Sequence, residues 1–536
     1  MKAKNKFLRL IASIVTAFMF VVGITGTAAC KKDDNKMLSD EKGVYTLDEN
    51  GIKVYKVVMM DHGVPFTTKE FKYRQQVLER VNEKLVQDLG YKVDFNIEVY
   101  ADDTFSDKLV TRLADQDQLD LVRQVAKENL DSYVSTNIAM DVTDYFNNES
   151  SLKSNLSSAI MKEVTYNGRV HAIPLDKLPV NGVTFVRGDL LNKAGYENLT
   201  SIEDWEGFLD KVVKGGSEYL NSKLQTVPLM GSLSCIEEML YGAFTDDPGA
   251  NYINAEGKIR PKYFNEGYKN FIKKLREWMV KGYIDNSLFN FNEFGMNTYM
   301  SNQVTSAVSC GIYHLEFGSL LSVNKAHPEW NITPIMPLAT EDGKYASTGI
   351  MGEFLFVPYS ARSAGVVMDL LNWHLFNEEN YMLLRCGIEG LTYTISPEKS
   401  IDVPAAEKSA NVTAPSDLIG RFMIATSVKY NMGYPAATCP DGSKKAYSDS
   451  LKVKDEQLIV DPTIYVSSKI SDMDRSVIAS ANNTVAGQIQ KMLTLKKDKT
   501  FEVSDAEFDA VWNKMLKDYT GISVFDKMTE EYNKIK

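Results

Sequence analysis

Lys53-Val54-Tyr55-Lys56-Val57-Val58-Met59-Met60, residues 53–60, is an apolar-rich run broken at once by Asp61-His62-Gly63. A short apolar run bounded by a turn signal reads as a buried strand. Downstream, Thr67 and Glu70 have the spacing of a capping box. Leu78, Val81, Leu85 and Leu89 then recur at helical intervals, and Gly90 closes the helix. Tyr91, Val93, Phe95, Ile97 and Val99 alternate with polar residues, the mark of a second strand. Phe105, Leu109 and Leu113 mark another helix, and residues 119–122 a third strand. This strand-helix-strand-helix-strand order predicts an α/β lobe with a largely parallel sheet.

Toward the N-terminus, Lys2, Lys4, Lys6 and Arg9 precede an apolar run over residues 10–24. A membrane-spanning helix needs about 20 apolar residues, so this run is short for a permanent anchor and reads as a secretory signal. Gly26-Thr27-Ala28-Ala29 leads straight into Cys30 and resembles a bacterial lipobox, in which the Cys30 thiol takes up a lipid and becomes the new N-terminus. An ordinary cleavage site beside an incidental cysteine is the alternative. Residues 1–29 are thus expected as a signal peptide and residues 30–52 as a flexible tether, polar through Lys31-Lys32-Asp33-Asp34-Asn35-Lys36. No other stretch approaches 20 apolar residues, so the body is expected to be soluble.

Toward the C-terminus, residues 163–166 and 169–173 flank Asn167-Gly168, a strong hairpin signal. Pro174 is read as ending the second strand and opening a crossing between lobes. Val183-Thr184-Phe185-Val186 starts a second α/β series, with further strands at 304–309 and 350–358. Ser201 with Asp204, and Ser504 with Glu507, read as helix starts, and another helix begins near Ser363. Trp205, Trp278, Trp373 and Trp512 fall on amphipathic helical faces and are assigned to cores, whereas Trp330 is assigned to surface packing.

The chain has 536 residues, beyond the roughly 250–300 at which one core stops growing, so two or more lobes are expected. Its net charge is -11, against the basic stripe a nucleic-acid partner would need. Cys235, Cys310, Cys386 and Cys439 form no C-x-x-C pair, which removes support for zinc and thioredoxin-like redox sites and leaves buried thiols as the expectation. No H-E-x-x-H, G-x-S-x-G, Walker A or G-x-G-x-x-G occurs, and the five histidines are dispersed. Neither a catalytic constellation nor a bound cofactor or metal is implied, although two glycosidase carboxylates would leave no local signature.

Several segments together resemble family 1 extracellular solute-binding proteins of ABC importers. Tyr166-Asn167-Gly168-Arg169-Val170-His171-Ala172-Ile173-Pro174 is similar to their YNGKxYGIP hairpin, and Phe185-Val186-Arg187-Gly188-Asp189-Leu190-Leu191 to their xxxRxDxL. The helix at 200–209, the helix end Lys281-Gly282-Tyr283-Ile284-Asp285, and Cys386-Gly387-Ile388-Glu389-Gly390-Leu391-Thr392-Tyr393 complete the resemblance, the last to the large lipoprotein branch. Relatives in that branch often carry a calcium-loop-like run of alternating carboxylates. Residues 214–226 lack it, so no calcium is expected there.

The resemblance implies a two-lobed periplasmic-binding-protein-like α/β fold of type II. Lobe 1 would hold residues 53–175 and 350–400, and lobe 2 residues 176–349 and 401–536. The chain would cross near 172–180, near Gly349 and after about Ser400, with a hinge between lobes and a ligand cleft at the C-terminal ends of the strands. It implies a lipid-anchored, monomeric extracellular protein that captures an oligosaccharide and delivers it to ABC permease subunits, without chemistry on the ligand. A peptide or other solute in the same fold, or a secreted glycan-active enzyme, are the alternatives.

Sugar capture needs flat aromatic faces and planar polar groups. By position at strand ends, the candidate ligand residues are Asp61 and His62, Arg123 and Gln124, Ser232 after Val227-Pro228-Leu229-Met230, and Tyr313 and His314 after the 304–309 strand. Glu353 near a crossing, Tyr393 at the end of the Gly387–Tyr393 segment and Lys177 after the hinge strand complete the set. Solvated loop residues are the competing reading of Asp61, His62 and Arg123.

Overall fold

The run at 53–60 is the interior of β1 (Lys53–His62), in which Val57, Met59, Met60 and Asp61 are fully buried. In the computed structural model, the residues described are 37–63, 70–124, 128–146, 150–156, 158–292, 295–316, 318–347 and 351–535. The segment expected as a signal peptide, Cys30, Thr67 and Gly349 lie outside them. After β1 come α1 (Arg74–Leu89), β2 (Lys92–Tyr100), α2 (Asp102–Ala114) and β3 (Leu121–Gln124). Val77, Val81 and Leu85 are the buried face of α1, and Gly90, at φ 82°, ends it with its N–H on the carbonyls of Leu85 and Val86. The helix begins at Arg74, later than the Thr67/Glu70 spacing predicts. A tertiary contact sets the start: the Tyr73 N–H donates to the Leu418 carbonyl.

The Asn167-Gly168 hairpin forms as expected, with Asn167 and Gly168 both at positive φ (50° and 79°). The chain then enters β4 (Ile173–Asp176), where Pro174 sits within the strand. Compact unit 1 ends at Lys177. Unit 2 opens with β5 (Gly182–Val186), α3 (Ile202–Gly215), β6 (Leu229–Met230), α4 (Leu233–Leu240), α5 (Glu266–Lys281), β7 (Ala307–Gly311) and β8 (Thr333–Ile335). Ser201 caps α3 by accepting the Asp204 N–H at 3.1 Å. β7 starts three residues later than the apolar pattern suggests, because the Val304 N–H is taken by the Tyr299 carbonyl. The chain returns to unit 1 with β9 (Met351–Phe356), α6 (Ala364–His374) and α7 (Glu378–Cys386), and re-enters unit 2 at Thr438 to form α8 (Asp472–Leu493), α9 (Asp505–Lys517) and α10 (Ile522–Ile535).

The unit 1 sheet is mixed. β2 and β3 flank β1 in parallel, as the strand-helix alternation predicts. β9 runs antiparallel between β3 and β4. Buried Asp120 ties the sheet to the turn after β9: its carboxylate accepts the N–H groups of Val58 (2.8 Å), Arg362 (2.7 Å) and Ser363 (2.8 Å). In unit 2 the order is β6-β7-β5-β8, with β6 and β7 parallel and β5 antiparallel to both its neighbours. Its core gathers Trp205, Phe208, Phe271, Leu275, Trp278 and Trp512 from α3, α5 and α9.

Three expectations are corrected. Part of the expected tether is structured: Leu38–Ser39 and Val44–Leu47 form strands, and Val44–Leu47 pairs antiparallel with the start of β1. The Asp40 carboxylate holds them there, accepting from Lys53 Nζ (2.6 Å) and Tyr55 Oη (2.6 Å). Burial works to raise its pKa, but these bonds and the Lys42 and Gly43 amides outweigh it and hold the carboxyl far below its usual range. Second, residues 401–437 belong to unit 1 rather than to the other lobe. Ile401 pairs with Ile395, and Arg74 Nη1 binds the carbonyls of Ile419 (2.9 Å) and Arg421 (3.0 Å). Third, Trp330 is buried, sandwiched by the His327 ring (3.9 Å between centroids) and the Arg187 guanidinium (4.0 Å). Among the described residues, no helix is long and apolar enough to cross a membrane.

Candidate ligand-binding cavity

The C-terminal ends of β1 and β3 meet the end of α6, one face of α7 and the segment 416–431 around a cavity of about 290 Å³ within unit 1. Asp61, Arg123, His374, Tyr381, Arg385 and Arg421 are its charged and aromatic lining, beside the polar Ser416, Thr426 and Asn431. The strand period places Arg123 there: Val122 and Gln124 are buried on the opposite face of β3, and Arg123 points the other way, half-buried. Its Nε donates to Glu353 on β9, and its Nη1 lies 3.7 Å from Asp61 Oδ1. Asp61 Oδ2 accepts from Arg421 Nη1 at 2.5 Å, and Oδ1 accepts the His62 N–H at 2.9 Å. Complete burial pushes the Asp61 carboxyl up, while the two guanidiniums pull it back.

Arg421 reaches this point because Gly420 turns the chain at φ 70°. A Cβ there would stand 2.8 Å from the Phe71 ring and 2.9 Å from Arg74 Nη1, so the close approach needs glycine. Arg385, in the last turn of α7, donates from Nη1 to the Tyr430 carbonyl (3.1 Å) and from Nη2 to the Tyr434 carbonyl (3.2 Å). Arg385 forms no ion pair with the described residues. His374 is fully buried, its Nδ1 2.6 Å from the Leu370 carbonyl. A carbonyl only accepts, so Nδ1 carries the proton and Nε2 presents a lone pair, which makes no hydrogen bond. Burial lowers the His374 pKa to about 4 against the pull of the nearby Leu370 and Ala425 carbonyls, so the ring is neutral at pH 7. The Tyr381 ring stacks over it at 6.1 Å, and its hydroxyl donates to Asn431 Oδ1 at 2.7 Å.

The cavity lining thus carries three guanidiniums and one carboxylate. Guanidiniums hold five N–H donors in a fixed fork and match carboxylates or paired hydroxyls. The Tyr381 ring adds an aromatic wall. The arrangement suits recognition of polar groups.

The candidate residues are distributed as follows. Asp61, Arg123 and Glu353 come together in one ion-pair chain, with Asp61 and Arg123 lining the cavity. His62 sits beside it, 3.1 Å from Asp102 Oδ1. Gln124 is buried behind β3 and donates to Tyr133 Oη at 3.1 Å. Tyr393 packs in a small core with Tyr381, Met382, Cys386 and Ile401 and is not itself part of the cavity lining. Lys177 is half-buried at the end of unit 1. Ser232 caps α4, accepting the Cys235 N–H at 3.2 Å. Tyr313, exposed, and His314, buried, sit on the short helix Tyr313–Glu316 with ring centroids 4.0 Å apart and planes tilted by 33°. Unit 2 has its own cavity, of about 450 Å³, with Ser234, Glu237, Glu238, Tyr241, Tyr345 and Asp461 in its lining.

Of the cavity's charged and aromatic residues, His374, Tyr381, Arg385 and Arg421 escape the sequence reading. Arg385 alone leaves a signal, a charge interrupting the apolar turn Met382-Leu383-Leu384-Arg385-Cys386. Arg421 follows a non-periodic segment and leaves none.

No protein-family profile matches the chain, and no curated protein matches it in sequence. Solved structures do match in fold. An extracellular solute-binding protein from Bifidobacterium longum subsp. infantis aligns at TM-score 0.55 and 15% identity, over 91% of this chain and 100% of that one. An HMO-binding, ABC-transporter-associated solute-binding protein from Bifidobacterium longum infantis aligns at 0.55 and 15%, over 89% and 98%. The N-glycan transport solute-binding protein NgtS of Streptococcus pneumoniae aligns at 0.54 and 17%, over 89% and 98%. The structural neighbours are binding proteins of transporters, and the mixed α/β fold is that of ABC-transporter solute-binding proteins, as the sequence motifs imply.

Proposed function

We propose that this chain is the substrate-binding component of an ABC importer. It captures an oligosaccharide, hands it to permease subunits and is held at the outer face of the cell membrane by a lipid on Cys30. The observation that carries the reading is the whole-chain likeness to solute-binding proteins, two of which are described by the glycans they bind or transport. The unit 1 cavity supports it, since its fixed guanidiniums and tyrosine ring are groups that can hold sugar hydroxyls and a ring face. The basic N-terminus, short apolar run and Cys30 support the anchor.

A thermal-shift screen of oligosaccharides and peptides against the chain tests this. A ligand present at 100 times its Kd adds about 2.7 kcal/mol to the native state. Stabilisation by oligosaccharides with recovery of the intact sugar is the expected result. Stabilisation by peptides alone, or hydrolysis of the glycan, overturns it.

A further inference from the structure

The unit 1 cavity holds more positive charge than its own carboxylates balance. Arg123 and Arg421 share Asp61, and Arg123 also pairs with Glu353. Arg385 is different: its two bonds go to backbone carbonyls, which fix the guanidinium without cancelling its charge. A half-buried cation with no acidic partner is costly unless something anionic visits it. Each remaining donor of the fork is available for a charge-assisted bond. At about 290 Å³, the cavity is at the small end for ligand sites and has room for one sugar ring or charged group rather than a chain.

We propose that this cavity is an anion-selective subsite that takes the carboxylate of an acidic sugar residue, such as a uronate, with Arg385 as its principal anchor. This rests on the oligosaccharide-capture reading above and narrows it to carboxylate-bearing saccharides. Arg421 flanks the carboxylate from the 416–431 segment.

The test is calorimetric titration of the intact chain with tetragalacturonate, with its carboxyl-reduced counterpart of the same length, and with neutral oligosaccharides. Charge-assisted bonds to a guanidinium predict binding of the uronate tetramer at least about tenfold tighter than of the reduced tetramer. Affinity should fall with added salt for the uronate only. Arg385→Gln should abolish most of that difference, weakening the uronate tetramer far more than the reduced one. The salt response of the unmutated chain carries the test if the variant does not fold. Equal affinity for the two tetramers, or binding of neutral oligosaccharides alone, overturns this inference and leaves the oligosaccharide reading standing. Failure of every saccharide to bind overturns both.

Discussion

Arg421 Nη1 stands 2.5 Å from Oδ2 of fully buried Asp61, although 360 positions separate them in the chain. The contact explains why residues 401–437 stay with the first unit after the chain has already left it once. The carboxylate at the end of β1 is the fixed point, and Arg421 closes the cavity wall onto it. The same carboxylate faces Arg123, so one buried acid positions two of the three guanidiniums.

Asp61→Asn leaves both of these guanidiniums facing a neutral amide. Breaking a buried pair usually costs 3–5 kcal/mol, and the partial exposure of Arg421 lowers the expectation to about 2–3 kcal/mol. Urea denaturation should show this as a fall in midpoint. Adding Arg421→Gln to Asp61→Asn should cost less than the two single losses summed, because they remove one shared interaction. Strict additivity would mean that the pair carries no coupling.

His374 makes stability depend on pH. Its folded-state pKa is lowered to about 4 from an ordinary 6.5, so the unfolded chain takes up this proton first as pH falls. The contribution is fully present above pH 6.5, declines through the interval and is lost below about pH 4. A shift of this size is worth about 3 kcal/mol. Urea midpoints at pH 7.5 and 4.5 should differ by more in the native sequence than in His374→Phe, whose ring keeps the stack on Tyr381. Equal pH responses in the two would remove His374 as the cause.

The path from residues to fold was readable where a period exists. The alternation through β2 and the apolar run in β1 identify the parallel strands, and the ends of those strands locate Asp61 and Arg123. What the pattern lacks is any record of long-range partners. β9 joins the sheet antiparallel from more than two hundred residues away, and nothing local in Met351–Phe356 announces its direction. Tyr393 ends a loop-like motif yet is buried with Cys386 and Ile401, because Gly387 folds that segment back on α7. His374 and Arg385 ride on helices whose apolar faces read only as core.

Gly387 is the point where that fold-back is decided. It sits at φ 87° and ψ −128°, a region essentially reserved for glycine. A Cβ there would stand 2.6 Å from Thr392 Oγ1, the hydroxyl that donates to the Cys386 carbonyl and accepts the Ile388 N–H. Gly387→Ala should therefore cost about 3 kcal/mol from backbone strain and crowding together. The denaturation slope should be unchanged, since the unfolded surface is the same. Gly390→Ala, also at positive φ but with open space around the site, should cost only the backbone component, about 1 kcal/mol. Equal losses at the two positions would show that crowding against Thr392 contributes nothing.

Cys30 separates anchoring by lipid from anchoring by the apolar run. If the thiol carries the lipid, Cys30→Ala made in the native bacterium should move the protein from the membrane fraction to the medium and abolish incorporation of labelled palmitate. Binding of ligand should be unchanged, because among the described residues the first strand joining the unit 1 sheet begins at Leu38, beyond Cys30. The run over 10–24 falls short of the roughly 20 apolar residues that span a bilayer, so it should not hold the chain by itself. Retention of the variant in the membrane fraction, unlabelled, would mean that the N-terminal segment stays uncleaved and serves as the anchor.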